Sequence, residues 1–358
     1  MNYNSLIKDQ AYLFESEKDL FSENNEFIFK IFEDANLEKP QKINFETSSI
    51  DYDIFNISCD NKDYILKFSL DEFDLSLKHE FDLIKKLNIK NTLNPIIYNK
   101  FKFGDFIHYS IYLNEKNESI KNFGLSSLTT NIDNFMKSYF LLQNTHKPKR
   151  SHKQIMLKFI DNHSLSFFDQ DVIEAISNNC NLDKIKEIVD LLHSEIFKIF
   201  QSDIFNKDEF CHGDLNQSNI LYCFNHFKFI NLCSSFSGNL YYDLANLVID
   251  CNLNKNLEKK LFDNILINKK SNSFAEEWIE YKQCFDLVLR KIFLEILFNF
   301  LKEIYLFESE RPFKLLNIID IFSQNQSRFM KIPVINKNFE FIYNLFLQPL
   351  IGTENKNN

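Results

Sequence analysis

The residues best suited to chemistry lie in one stretch, Cys211 to Val248. It opens with His212-Gly213-Asp214, and Asn219 follows five residues after the aspartate. An apolar run from Ile220 to Tyr222, a polar turn at Asn225-His226 and a second apolar run from Phe227 to Leu232 read as a loop feeding a β-hairpin. Gly238 and Tyr242-Asp243-Leu244-Ala245 then lead into a helix. A carboxylate and a carboxamide on one loop, with a hairpin returning a third polar group beside them, form the layout of a phosphoryl-transfer site. The hairpin's expected contribution is a carboxylate that binds a cation. This chain has Asn231 there, a neutral amide.

Two further candidates lie far upstream. Lys67 sits in Tyr64-Ile65-Leu66-Lys67-Phe68, an otherwise apolar β-like run. A lysine in such a run is ordinarily an edge residue with its ammonium in water. The following segment favours another role. Leu70 to Asn88 has helical period, with Leu77, Phe81, Ile84 and Leu87 on one face, and Glu80 lies on it thirteen residues after Lys67. A carboxylate on the helix can fix a strand ammonium where it meets phosphate oxygens. Taken alone, Glu80 reads as a solvated helix residue, and Glu72 and Asp82 are less well placed.

These residues need elements to position them. Phe21 to Leu37 reads as a helix, with Pro40 beyond its end. From Ile43 to Phe68 the pattern changes to short β-like runs joined by the polar turn Cys59 to Asp63. After Pro95, further β-like runs reach Leu113 with a turn at Gly104-Asp105, and Tyr109 to Glu118 reads as the crossing out of a β-rich region. The chain then turns helical. Helices are expected over Asn131 to His146, Asn181 to Phe205, Leu257 to Ile267, Phe274 to Phe307, Phe313 to Phe322 and Phe339 to Leu347. His146 and His193 read as cap or packing residues, and the basic segment 147–153 as a solvated loop. The expected organisation is an N-terminal helix and β-rich region over 1–115, a helical region over 116–350 and a disordered tail over 351–358.

Composition bounds the function classes. A chain of 358 residues has ample length for a core. A net charge of −9 argues against nucleic acid or an anionic membrane as the main partner and suits a cationic small molecule. The seven cysteines show no CxxC spacing, which points away from zinc or redox motifs and towards buried, reduced thiols in a cytoplasmic protein. The N-terminus has no signal pattern, and the most apolar stretch, Phe285 to Leu301, carries Asp286, Arg290, Lys291 and Glu295, so it reads as a buried helix.

With these residues in view, the chain resembles the aminoglycoside phosphotransferase and choline kinase family, whose fold is protein-kinase-like. HGDLNQSNIL resembles the family's catalytic loop. Counting from Asn231, Gly238 lies seven residues on and Asp243 twelve, as in the family's metal-binding run, and LLQNTH partly resembles its Leu-His helix end. The resemblance covers residues 45–250 by motif. It implies an α+β, two-lobed fold with a small β-rich N-lobe and a larger, mainly helical C-lobe. It implies ATP and Mg²⁺ as cofactors and a hydroxyl of a small molecule, such as an aminoglycoside, an amino alcohol or a sugar, as acceptor. By position, Asp214 would be the catalytic base, Asn219 and Asn231 the metal ligands, and Lys67 the contact to the α- and β-phosphates, held by Glu80. His212 and Asp243 would brace the loop. Two departures stand out. Asn231 replaces the metal-binding aspartate, which opens the alternative of a pseudokinase that binds nucleotide without transferring phosphate. The nucleotide loop, Thr47-Ser48-Ser49-Ile50-Asp51, has no glycine.

Overall fold

A computed structural model of the chain describes residues 20–48, 53–69, 76–87, 92–93, 95–103, 105–114, 118–119, 126–144, 148–168, 170–223, 226–306 and 312–352. Two compact units are present. The first comprises Met1–Pro148 with His212–Ser235, and the second Lys149–Cys211 with Phe236–Asn358. The change from strand to helix near residue 115 therefore falls inside the first unit. The architecture is α+β, with an antiparallel sheet in the N-terminal region and a mainly helical remainder.

In the first unit, strands β1 (Lys42–Ser48), β2 (Asp53–Ser58), β3 (Asp63–Ser69), β4 (Pro95–Phe103) and β5 (Asp105–Leu113) form a five-stranded sheet in the order β1-β2-β3-β5-β4, every pairing antiparallel. Side chains alternate along β3. Tyr64, Leu66 and Phe68 belong to the core cluster that holds Phe27, Ile28, Ile31 and Phe32 of the helix Leu20–Asp34. Phe68 meets Phe27 edge-on at 5.6 Å between centroids, and Tyr64 meets Phe32 at the same distance. Lys67 is consequently on the opposite face. The β3–β5 register pairs Lys67 with Ser110, which puts Tyr112, two residues along β5, on that face too.

The helix Ser76–Leu87 buries Leu77, Glu80 and Ile84, spaced by three and four residues, so the Glu80 carboxylate shares the inward stripe with two aliphatic side chains. A three-stranded sheet is built from β6 (Glu118–Ser119), β8 (Ile220–Cys223) and β9 (His226–Phe229). The helix Ile132–Gln143 packs on its hairpin, with Phe135 edge-on to Phe227 at 5.4 Å and to Phe229 at 5.8 Å. The second apolar run is shorter as a strand than its sequence suggests. It ends at Phe229, because Asn231 takes a left-handed backbone (φ 61°, ψ 49°) and Leu232 starts a 3₁₀ turn. His146, Gly104 and the tip of the hairpin at 224–225 lie outside the described residues.

The second unit is mainly helical, around Leu182–Phe200, Tyr241–Asp250 and the 33-residue helix Phe274–Leu306. Among the described residues, no helix is long and apolar enough to cross a membrane. The helix expected to reach Phe205 stops at Phe200, and on it Leu191 is 41% exposed while Val189 is buried. The C-terminal helix runs on to Gly352, and 353–358 lie outside the described residues. Arg328 donates to the carbonyls of Val248, Ile249 and Leu253 at 3.2, 3.4 and 2.8 Å, the first two of which also accept from the N–H groups of Leu253 and Asn252 just past the end of the helix Tyr241–Asp250. A short pair of strands, β7 (Glu209–Cys211) and β10 (Phe236–Gly238), lies in the same unit. A Cβ on Gly238 would sit 2.5 Å from Cε2 of the buried Phe236 ring and 3.4 Å from Cβ of His152. Gly238→Ala is expected to cost about 1–3 kcal/mol by overpacking, read as a lower urea midpoint at unchanged slope.

The basic segment at 147–153 is not a solvated loop in its second half. Ser151 caps the helix His152–Asn162 through a capping box with Gln154. His152 is buried, stacked on Phe236 at 4.7 Å and edge-on to Phe205 and Tyr242 at 4.9 and 5.0 Å. Neither ring nitrogen has a hydrogen-bond partner among the described residues, and burial pushes its pKa down to about 3 from 6.5. Below pH 6.5 the unfolded chain takes up a proton that the folded ring refuses until about pH 3. Stability therefore falls with pH across that window, by up to about 1.4 kcal/mol per unit. Thermal unfolding between pH 7 and 4 is expected to show this slope and His152→Phe to flatten it.

Candidate functional site

Six of the seven residues singled out from the sequence lie in the first unit, and a chain of hydrogen bonds from side chain to side chain joins five of them. Lys67 and Glu80 are 2% and 1% exposed. The ammonium donates to both carboxylate oxygens of Glu80, at 3.3 and 3.1 Å. It also donates to Oδ1 of Asn231. Nδ2 of Asn231 donates to Oδ1 of Asn219. Nδ2 of Asn219 in turn donates to Oδ2 and to the main-chain carbonyl of Asp214, at 2.8 Å each. Residues 164 apart in sequence, Lys67 and Asn231, are thus in direct contact.

Glu80 is the hub of the buried end. Besides the ammonium it accepts from Tyr112 Oη at 2.9 Å and from the Leu232 N–H at 3.0 Å. Burial, followed by the Glu80 charge, pushes the Tyr112 phenol well above its usual range, so it remains a donor. The Tyr112 ring also lies 4.9 Å from the Lys67 ammonium. Tyr112 falls in the segment read as a crossing between regions. The structure places Tyr109–Leu113 in β5, and a tyrosine in an apolar strand carries no signal that separates a site residue from core.

The loop end is held by local geometry. Gly213 has φ 85°, a left-handed conformation that suits glycine. Nδ1 of His212 accepts from the Asp214 N–H at 3.3 Å. Its Nε2 lies 2.8 Å from the Ile230 carbonyl, which can only accept, so the proton sits on Nε2. Asn216 was not among the candidates, yet its Nδ2 donates to Oδ1 of Asp214 at 3.0 Å and its Oδ1 accepts from the N–H groups of Ser218 and Asn219. An asparagine two residues after an aspartate in a loop is the available sequence signal, since Asx side chains close such turns. Asp243 belongs to the second unit, fully buried in the first turn of the helix Tyr241–Asp250. Burial and the Asp243 charge both push the Cys211 thiol well up. The cysteines at 59, 211, 233, 251 and 284 are buried thiols. Ser49, Ile50 and Asp51 of the expected nucleotide loop lie outside the described residues.

No protein-family model matches the sequence, and no curated protein sequence matches it. Solved structures do share its fold. Choline kinase LicA from Streptococcus pneumoniae is 13% identical and superposes with a TM-score of 0.57, covering 85% of this chain and 99% of that one. Amicoumacin kinase hAmiN, in complex with AMP-PNP, Ca²⁺ and Ami, is 11% identical with a TM-score of 0.55, covering 89% and 97%. A thermostable mutant of the aminoglycoside phosphotransferase APH(4)-Ia, in ternary complex with ADP and hygromycin B, is 10% identical with a TM-score of 0.53, covering 78% and 95%. The chain therefore has the protein-kinase-like fold of the aminoglycoside phosphotransferase and choline kinase structures.

The resemblance in sequence implies Mg²⁺ at positions 219 and 231. The donor set does not fit a cation shared between them. Mg²⁺ demands oxygen ligands and is held chiefly by carboxylates. Here both residues are neutral amides. The oxygen of Asn231 accepts from an ammonium, and its amide nitrogen, not an oxygen, faces Asn219. Among the described residues, no group of three or more His, Cys, Asp or Glu side chains is placed to hold a metal.

Proposed function

We propose that this chain binds ATP and transfers its terminal phosphoryl group to a hydroxyl of a small molecule. The observation that carries this reading is the unbroken hydrogen-bonded set from Glu80 and Lys67 to Asp214, which ties a buried cation to a loop carboxylate on one site. In this reading Lys67 meets the α- and β-phosphates, and Glu80 keeps the ammonium from turning away. Asp214 orients the acceptor hydroxyl. As the new P–O bond forms and the bond to the bridging oxygen of ADP breaks, the hydroxyl proton passes to its carboxylate. His212 braces the loop through the Asp214 N–H and the Ile230 carbonyl. The β-rich part up to residue 115 serves the nucleotide. No step is routed through a divalent cation, because the amide pair does not fit one.

The neighbours support a small-molecule acceptor: one was solved with hygromycin B, one is an amicoumacin kinase and one a choline kinase. The net charge of −9 suits a cationic one. A second reading, a nucleotide-binding protein without transfer, is favoured by the Asn231–Asn219 hydrogen bond at the expected metal position. ADP release separates the two. Purified protein is incubated with ATP, Mg²⁺ or Mn²⁺, and aminoglycosides, choline and sugars in turn, beside an Asp214→Ala control. Acceptor-dependent release that the control lacks is the expected result. Release no higher than the control with every acceptor overturns transfer and leaves the second reading.

A further inference from the structure

We infer that the amide of Asn231 takes the place of a divalent cation in this site, so that nucleotide binds without Mg²⁺. The inference rests on the nucleotide-binding half of the reading above. It starts from the direction of the hydrogen bonds. The Lys67 ammonium can only donate, so Asn231 must turn Oδ1 towards it, and this turns Nδ2 towards Asn219. Asn219 must then present Oδ1 to Asn231 and Nδ2 to Asp214, where a carboxylate oxygen and a main-chain carbonyl both accept. Donation runs one way, from ammonium to carboxylate, and both amide orientations are fixed by the two ends. The set is complete with the residues present.

An aspartate at 231 would reverse this. It would satisfy Lys67 but meet Asn219 oxygen to oxygen. Turning the Asn219 amide would only move the conflict, since its oxygen would then face the Asp214 carboxylate and carbonyl. A cation between the two side chains is what resolves such a clash of acceptors. Charge argues the same way. The set holds one ammonium and the two carboxylates of Glu80 and Asp214, and an aspartate at 231 would add a third. Removing that charge lowers the cost of bringing a polyphosphate to the site without a counterion. The backbone at 231 is left-handed, a conformation that asparagine and aspartate both tolerate, so Asn231→Asp alters charge with little strain.

The test is calorimetric titration of ADP and AMP-PNP into native protein and Asn231→Asp, each in EDTA and in Mg²⁺. Native affinities are expected to agree within about threefold between the two conditions, and the variant to bind at least about tenfold tighter with Mg²⁺. Native binding that requires Mg²⁺ overturns cation independence while leaving nucleotide binding intact. No binding in either condition overturns the nucleotide reading and this inference with it. Mn²⁺ titrated into native protein without nucleotide keeps the test open should the variant fail to fold. No saturable site is expected, and a site lost in Asn219→Ala overturns the inference.

Discussion

Glu80→Ala lowers the stability of the protein by about 3–5 kcal/mol, because it leaves a buried ammonium without its counter-charge. The Lys67 and Glu80 side chains are 3% and 2% exposed, so water cannot take the carboxylate's place without local opening. The loss spreads further. Tyr112 Oη and the Leu232 N–H also donate to this carboxylate, and each would be stranded, at about 1–3 kcal/mol for a buried donor left unmade. Glu80→Gln keeps the shape but turns an NH₂ towards one of these donors, so it is expected to fall between native and alanine. The double replacement Lys67→Met with Glu80→Leu removes both charges and is expected to recover a good part of the loss. Urea unfolding of the four proteins checks this. A Glu80→Ala variant within about 1 kcal/mol of native would show that the pair contributes little net stability.

On the proposed reading, Asp214→Ala is expected to lower acceptor-dependent phosphoryl transfer by about 10²–10⁴-fold, the range over which a positioned general base contributes. The nucleotide affinity is expected to stay nearly constant, because Asp214 is joined to Lys67 only through two amides. The fall therefore appears in kcat more than in the KM for ATP. Asp214→Asn is a sharper probe. It keeps the volume and one acceptor oxygen for Asn219, and it removes the group that receives the proton. Transfer lost equally in both variants supports the base role. Transfer retained by Asp214→Asn would mean that position, not proton acceptance, is what Asp214 supplies.

The sequence was most legible where the site is local. His212-Gly213-Asp214 and Asn219 span a few residues, and the loop closes through its own main chain, so their spacing already carries their geometry. Lys67 and Glu80 were legible because strand and helix follow one another, leaving little freedom in how they meet. Tyr112 and the Leu232 N–H were not, since their approach to Glu80 depends on the β3–β5 register and on a contact across 152 residues. The direction of the amides was hidden for another reason. It is set by the partners at the two ends, and no pattern of residue types in one segment encodes it. His152 was misread because its neighbours in sequence are basic and solvated while its neighbours in space are aromatic rings.

The first unit is discontinuous along the chain, and this bears on the order of events during synthesis. Residues up to Pro148 emerge first, yet the segment His212–Ser235 that completes the unit follows only after the whole of Lys149–Cys211. Until then Lys67 lacks Asn231, and Glu80 lacks the Leu232 N–H. At about 5–20 residues per second, the nascent β-rich region waits several seconds for its last partners. Closing so long a loop carries an entropic cost that grows only slowly with length, so the delay is kinetic more than thermodynamic. The apolar faces left open in that interval, Phe135 and Tyr139 among them, are those that the hairpin rings of Phe227 and Phe229 later cover. A ribosome stalled between residues 150 and 210 would thus present the surface a chaperone recognises.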